Sequence, residues 1–218
     1  MIIFIAIFAI LILIQLVSGL FALIVRKGLI KTYSFPLSSQ IEAATILENY
    51  SRVHGKVNLR VHEEIELPAY AMEEFIVINR NKIYLFDLFT NYYLLFQLEL
   101  TKKKHNKLRD LSTLQNFLFF IELVFFGVSF IPSGFQNILI YIAIAIQTLS
   151  ILISLIAYSM FELALREVHK NARDMLDLDE VEVARAEALK EDLKYTVFEY
   201  PLDMLDKIIK FFIPSRFS

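Results

Sequence analysis

The residues best suited to metal chemistry in this 218-residue chain are four histidines and a scattered set of acidic side chains. The only local string with metal-ligand spacing runs from His62 to Glu66 and satisfies H-E-x-x-E, a relative of the metalloprotease pattern H-E-x-x-H. It follows a strand-like run and lies just before Pro68, which disfavours helix at the residue that precedes it. We therefore interpret this string as a solvated turn rather than a zinc site.

The other three histidines, His54, His105 and His169, are isolated in sequence, and we expect each of them to be a surface residue. His169 shares a predicted helix with Glu162 and Glu167, which leaves open either a weak metal site or simple charge pairing along the helix. The chain has no cysteine, so disulfides, Cys-ligated zinc, iron–sulfur clusters and thiol nucleophiles are excluded.

A further candidate for chemistry is Glu122, a carboxyl in the middle of an apolar run. A charge at such a position is costly, so we expect the side chain to be neutral or paired inside a helical bundle. Gln147, on the neighbouring apolar run, is the expected hydrogen-bond partner. Helix association is one function of such a pair, and a proton site or a contact to a partner subunit is another.

The elements that must position these residues are largely apolar. The chain is 56% hydrophobic, above the roughly 45–50% of soluble domains, which excludes a wholly soluble protein. Residues 1–25 form an apolar run long enough to cross a bilayer, and its basic residues follow it, which favours a retained span over a signal peptide. Residues 114–160 predict a transmembrane helical hairpin. The expected fold class is a mainly α integral membrane protein with three transmembrane helices and a small α+β part.

Basic side chains flank the predicted spans on one side only. Lys102, Lys103, Lys104, Lys107 and Arg109 precede the second span, and Arg166, Lys170 and Arg173 follow the third. The positive-inside rule makes this side cytoplasmic, which places the N-terminus outside and segments 26–113 and 161–218 in the cytoplasm of a multi-pass cell-membrane protein. The basic run 102–109 could also contact anionic lipid headgroups. The net charge of −2 carries no nucleic-acid signature.

Segment 26–113 combines helix and strand patterns. Ser39 and Glu42 have capping-box spacing, which predicts a helix that ends near Gly55. The alternating run 56–61 predicts a half-buried strand, and a second β-rich run lies at 75–78, so a small sheet is expected. The apolar stretch 83–100 is too long for a normal strand, and we interpret it as a buried helix.

Segment 161–218 is helical by its pattern. The third predicted span continues into it, and Asp179 and Glu182 form a second capping-box pattern that opens an acidic helix. A final amphipathic stretch, 202–213, could dock on the membrane surface or on a protein partner.

The order of these elements, with the stretches S-Q-I-E-A-A-T-I-L from Ser39, F-I-V-I-N from Phe75 and D-E-V-E-V-A-R-A-E-A-L from Asp179, resembles the YugP-type membrane zinc metallopeptidases, a bacterial family. In that family a membrane span, a capped helix and a short β region precede a buried helix that bears H-E-x-G-H. A membrane hairpin and a helix with a third, acidic ligand follow. The resemblance covers nearly the whole chain and implies that 161–218 packs on 26–113.

The zinc motif that defines the family is absent from this chain. The resemblance places the motif positions at Gln97, Leu98 and Thr101, and the third-ligand region at Glu167. Amide and hydroxyl oxygens are poor zinc ligands beside imidazole, and leucine cannot act as a general base. The resemblance therefore implies a zincin-like remnant that holds no metal and no cofactor.

Three functions are compatible with these patterns. The first is a catalytically inactive, metallopeptidase-like scaffold or subunit, which contacts the bilayer and either protein partners or further copies of itself. The second is a membrane-bound zinc peptidase with a rearranged site, drawn from His62, His105 or His169 with Glu162 or Glu167. The third is an ion- or proton-path subunit that uses Glu122 within an oligomer.

Overall fold

The computed structural model describes residues 2–55, 57–63, 67–71, 75–102, 105–131, 134–199 and 201. Six helices and three short strands follow one another along these residues. They are α1 (Ile2–Tyr33), α2 (Ala43–His54), β1 (Leu59–His62), β2 (Ala69–Ala71), β3 (Ile76–Asn79), α3 (Leu88–Leu100), α4 (Asn106–Val128), α5 (Gln136–Leu176) and α6 (Glu180–Leu193). Two 3-10 segments, Arg80–Lys82 and Lys194–Glu199, complete the described structure.

The chain divides into two units. The described residues of 1–24, 110–159 and 195–218 form what we call the bundle unit, and those of 25–109 and 160–194 form the α+β unit. Helices α1 and α5 are long enough to contribute residues to both.

The bundle unit is built from α1, α4 and α5, which meet through aromatic side chains. Phe8 stacks on Phe126 with ring centroids 4.1 Å apart, and Phe4 meets Tyr141 edge-on at 4.7 Å. The outward faces carry exposed apolar side chains, among them Ile10, Leu13, Val17, Leu152 and Leu155. Exposed apolar surface on this scale is rare in soluble monomers and is compatible with lipid contact.

Two helices, Ile2–Tyr33 and Gln136–Leu176, are long and apolar enough to cross a membrane. The predicted fold class is confirmed at this level, as a mostly helical chain with two candidate membrane helices and a small sheet. The second predicted span differs, because the apolar part of α4 is limited to Thr113–Val128. A helix needs about 20 apolar residues to cross a bilayer without adjustment.

The α+β unit contains a three-stranded sheet in the order β1-β3-β2. Strand β3 is central: it pairs in parallel with β1 and antiparallel with β2. Ile76 and Ile78 of β3 are buried, whereas all four residues of β1 are exposed. The two predicted strands are thus confirmed in place, but the half-buried character expected for 56–61 is wrong. The described strand β1 forms one edge of the sheet and does not contribute to the core.

Helix α3 lies at the centre of the α+β unit, and every one of its residues is buried. A helix that is apolar on all sides must be covered on all sides, so the prediction of a buried helix is confirmed. Its start is later than position 83, because the Asp87 side chain caps the helix by accepting a hydrogen bond from Thr90 N at 2.9 Å. The residues before the cap hydrogen-bond to the segment after α1, where Leu37 N donates to Phe86 O at 2.8 Å.

The two predicted capping boxes have different outcomes. The box that opens α6 is confirmed: Asp179 accepts from Glu182 N at 2.8 Å, and Glu182 accepts from Asp179 N at 3.0 Å. The box predicted at Ser39 and Glu42 is wrong. Helix α2 has Glu42 at its N-cap without a side-chain cap. The Ser39 hydroxyl donates instead to Leu176 O at 2.9 Å, a tertiary contact that local spacing cannot reveal.

Candidate metal centre

The positions that the family motif would occupy are engaged in holding α3 in place. Gln97 is buried, and its Oε1 accepts a hydrogen bond from Ala71 N of strand β2 at 2.9 Å. Leu98 is fully buried, and the Thr101 hydroxyl donates to Leu98 O at 2.7 Å. None of these side chains offers an imidazole or a carboxylate, so they do not fit the zinc ion that the family's H-E-x-G-H motif would bind.

A different group of side chains has the chemistry of a metal site. Glu99 near the end of α3, His105 just after it, and Glu167 of α5 bring their ligand atoms within 4.8 Å of one another. His105 Nε2 lies 3.2 Å from Glu167 Oε2 and 3.6 Å from Glu99 Oε1. Of the four zinc-site positions that the resemblance indicated, only Glu167 belongs to this group. Gln97, Leu98 and Thr101 do not.

The end of α3 places two of these three side chains. Lys102 N donates to Glu99 O at 3.1 Å, and His105 N donates to Lys102 O at 2.9 Å. These hydrogen bonds hold His105 close to the end of α3, where its imidazole meets the carboxylate of Glu99. His105 is only 7% exposed, so its prediction as a surface residue is wrong.

The two distances from His105 Nε2, 3.2 Å to Glu167 and 3.6 Å to Glu99, are close to the spacing of ligand atoms on one ion. Two ligand atoms bound to one metal at about 2.1 Å stand about 3–3.5 Å apart in tetrahedral or octahedral geometry. One imidazole and two carboxylates suit zinc, manganese or iron(II). The Glu99 side chain is nearly buried, whereas that of Glu167 is 42% exposed, so the group is open to solvent on the Glu167 side.

Lys102 balances part of the charge of this group. Its Nζ lies 2.6 Å from Glu99 Oε2, the carboxylate oxygen other than the one that faces His105. Tyr50 lies nearby and donates its phenol hydrogen to Leu98 O at 3.0 Å. Burial, together with the negative charge of Glu99, raises the pKa of Tyr50 above its usual value. The Tyr50 phenol is therefore neutral at physiological pH.

A small pocket reaches the same group. Its wall includes Glu99, Tyr50, His54 and Asn171.

The remaining candidate residues do not join this group. His62 is exposed at the end of β1, and Glu63 pairs with Arg80 at 2.7 Å; positions 64–66 lie outside the described residues. His54 is exposed, as predicted.

Two candidates on α5 form separate ion pairs. Glu162 binds Arg166 at 2.7 Å, and His169 Nε2 lies 2.8 Å from Glu187 Oε2 of α6. Glu162 and Arg166 form the pairing along one helix that was the alternative to a metal site, whereas His169 contacts a carboxylate on a different helix.

The basic run contributes one exposed lysine to the described surface. Lys107 is exposed, while Lys102 is turned toward Glu99. Lys103 and Lys104 lie outside the described residues, as does the side chain of Arg109, and the amphipathic stretch 202–213 is likewise outside them. Contact with anionic lipid stays a prediction.

Glu122 and Gln147 are both fully buried in the bundle unit. The expected hydrogen bond from the Gln147 amide to Glu122 is not formed. Gln147 Nε2 donates to Gln15 Oε1 at 3.4 Å, and neither carboxylate oxygen of Glu122 accepts a hydrogen bond from a described residue. Gln147 thus donates to Gln15 of α1 rather than to Glu122. The sequence did not indicate this contact, because the two residues are far apart along the chain.

The residue that sequence reasoning did not identify as a candidate metal ligand is Glu99. The sequence contained a signal for it, because a carboxylate within the apolar stretch 83–100 must be paired once that stretch is buried.

The chain does not match any known protein family, any curated protein or any solved structure with which it was compared.

Proposed function

We propose that this chain is a membrane-anchored protein that binds a divalent transition metal through Glu99, His105 and Glu167. The observation that carries the proposal is the approach of one imidazole nitrogen and two carboxylate oxygens to within 4.8 Å of one another. Because Glu167 is partly exposed, a bound ion can complete its coordination with water or with a ligand from solvent.

The ion would act as a Lewis acid toward that water or ligand. The chain's own residues hold it and tune the charge around it. Lys102 neutralises the Oε2 atom of Glu99, and the hydrogen bond from His105 N to Lys102 O holds His105 beside the end of α3. Hydrolysis is the reaction class suggested by the YugP-type resemblance, but with a ligand set displaced from the family's motif positions.

Metal content measured on the full-length protein tests this proposal. After equilibration with Zn²⁺ or Mn²⁺ and removal of free ions, we expect stoichiometric metal in the wild-type protein. His105→Ala and Glu167→Gln should each weaken binding at least about tenfold, since each removes a ligand. The matched control is His169→Ala, which removes a partly buried, carboxylate-paired histidine outside the group.

Two results would contradict the proposal. One is a folded wild-type protein that retains no metal. The other is a His105→Ala variant that keeps as much metal as the His169→Ala control. Circular dichroism of each variant shows whether its helices are retained.

A second candidate function is an inactive scaffold within a membrane complex. It is favoured by the engagement of Gln97, Leu98 and Thr101 in contacts that stabilise α3. In that case Glu99, His105, Lys102 and Glu167 are an ion-pair network, and the metal measurement separates the two functions.

We also propose α4 as a third membrane helix, with the α+β unit in the cytoplasm. The outward face of α4 carries exposed Phe117, Phe120 and Val124, which suit lipid. Tilting of the helix or local thinning of the bilayer can accommodate its short apolar length. The basic side chains around 102–109 and 166–173 support the orientation.

A further inference from the structure

The interior of the bundle unit contains acceptor oxygens without donors. Glu122 is fully buried, and neither of its carboxylate oxygens has a hydrogen-bond partner among the described residues. Gln147 Oε1 is also buried and accepts no hydrogen bond from a described residue. The same amide donates from its nitrogen atom, Nε2, to Gln15. Buried acceptors of this kind are costly unless a proton or a cation satisfies them.

The helix register places Glu122 and Gln147 at one level. Helices α4 and α5 form an antiparallel hairpin, in which Gln115 Nε2 donates to Ser154 Oγ at 2.9 Å. Glu122 lies about two helical turns after Gln115 along α4, and Gln147 lies about two turns before Ser154 along α5. The carboxyl and the amide oxygen therefore face the bundle interior at the same height.

Helix α1 adds a third polar side chain to this level. Gln15 is 4% exposed, accepts from Gln147 Nε2 and donates to Ser150 Oγ at 3.5 Å. Each of the three helices thus brings one long polar side chain inward at about the same height.

The described residues of the bundle unit offer no positive charge to an ionised Glu122. Residues 2–24, 110–131, 134–159, 195–199 and 201 include no lysine, arginine or histidine. Their other titratable groups are Asp110, Glu199, Tyr141, Tyr158 and Tyr195, none of which is a cation. A neutral carboxylic acid avoids the cost of an unpaired charge and has an O–H that can donate to an amide oxygen.

We propose that Glu122 and Gln147, supported by Gln15, form a proton-binding site in the bundle unit. The carboxyl of Glu122 holds the proton and donates it in a hydrogen bond to Gln147 Oε1. This site is independent of the metal centre, since it shares no residue with Glu99, His105 or Glu167.

Infrared spectroscopy of the full-length protein in lipid vesicles tests the proposal. The difference spectrum of wild type and Glu122→Gln at neutral pH should show the loss of one carbonyl stretch of a protonated carboxylic acid. Asp110→Asn is the matched control, because it removes an exposed carboxyl at the start of α4 and should change only carboxylate bands. Gln is close in shape to protonated Glu, so the bundle is expected to assemble.

A second variant keeps the proposal falsifiable if Glu122→Gln does not assemble. Gln147→Leu retains Glu122 but removes its acceptor, so the acid band should persist and move to higher frequency. The proposal is overturned if Glu122→Gln loses carboxylate bands instead, or if neither variant changes the acid region. A bound cation is the alternative to a proton at Glu122, and spectra recorded in sodium chloride and in choline chloride distinguish the two. A carboxylate band that changes with Na⁺ would show a metal-cation site and overturn the proton site.

Discussion

The bundle unit and the α+β unit bury polar groups in opposite ways. Among the described residues of the bundle unit the buried polar side chains are amides and hydroxyls, apart from the carboxyls of Glu122 and Glu199. In the α+β unit the buried carboxylates have matched partners. Glu182 accepts from Ser38 N at 2.7 Å and from Ser38 Oγ at 3.1 Å, and Glu99 is 2.6 Å from Lys102 Nζ.

The outer surfaces differ in the same sense. Helix α6 carries charged side chains at its surface, such as that of Glu191, which lies 2.5 Å from Lys194 just after the helix. Helices α1 and α5 expose isoleucine and leucine instead. A buried charge is tolerable where the fold supplies its partner, and an apolar exterior is tolerable where the solvent is lipid. The contrast is compatible with lipid contact at the outer surface of the bundle unit.

The largest expected effect is an all-or-none difference in thiol labelling between positions on opposite sides of the proposed membrane. The chain has no cysteine, so single introduced thiols can be labelled without background. Phe135→Cys, at an exposed position between α4 and α5, should react with an impermeant reagent added to intact cells, and the exposed Lys107→Cys should not. The reverse pattern would contradict the proposed orientation.

A pair of phenylalanine substitutions compares how much the hydrophobic effect of a buried ring contributes to the stability of each unit. Phe96 in α3 and Phe119 in α4 are each 1% exposed. Phe96→Ala should cost about 3–5 kcal/mol, because it removes a buried aromatic ring from a core formed in water. Phe119→Ala should cost roughly half as much, since helices in lipid lose packing contacts but no hydrophobic free energy.

Hydrogen exchange followed by mass spectrometry can check this pair, since it reports the opening free energy of each unit separately. Equal losses for the two substitutions would show that the bundle unit is stabilised as a water-soluble core is. That result would remove the basis for treating α4 as a membrane helix.

The smallest expected effect concerns alkaline pH. Because burial and Glu99 raise the pKa of Tyr50, an unfolded chain ionises this phenol at about pH 10 while the folded α+β unit keeps it neutral. Stability is therefore full below about pH 10 and declines as the pH rises above it.

Tyr50→Phe should remove the hydrogen bond to Leu98 O, at a cost of about 1 kcal/mol near neutral pH, and flatten the alkaline decline. Tyr84→Phe is the control, because Tyr84 is 69% exposed and should leave both quantities unchanged. Unfolding curves from pH 7 to about pH 11 measure them. An unaltered alkaline slope in Tyr50→Phe would contradict the assignment.

Local patterns predicted the elements whose cause is local. The capping box of α6 depends on Asp179 and Glu182 alone, and the burial of α3 follows from its apolar composition. The cap predicted at Ser39 failed because a carbonyl far along the chain, Leu176 O, accepts its hydroxyl. The exposure of β1 depends on its place at the edge of a sheet, which its alternating residues do not encode.

The candidate metal centre could be predicted only in pieces. His105 and Glu167 were separate candidates, but they are far apart in sequence and meet only when α5 packs beside the end of α3. The separation of Glu99 and His105 in the sequence is not a helical ligand spacing, so no short motif marks the pair. The register of α4 and α5 likewise emerges only from the contact between Gln115 and Ser154.

The discontinuous α+β unit has a consequence for how the protein is made. Part of the cover of α3 comes from α5, where Phe161 packs on Phe96 with ring centroids 4.7 Å apart. A ribosome that adds about 5–20 residues per second needs several seconds to reach Phe161 after completing α3. With 13 residues, α3 is too short to be held in the bilayer meanwhile, since a span takes about 20. During synthesis this apolar helix must therefore be shielded by α2 and the sheet, or by a chaperone, until the part of α5 that contains Phe161 has been made.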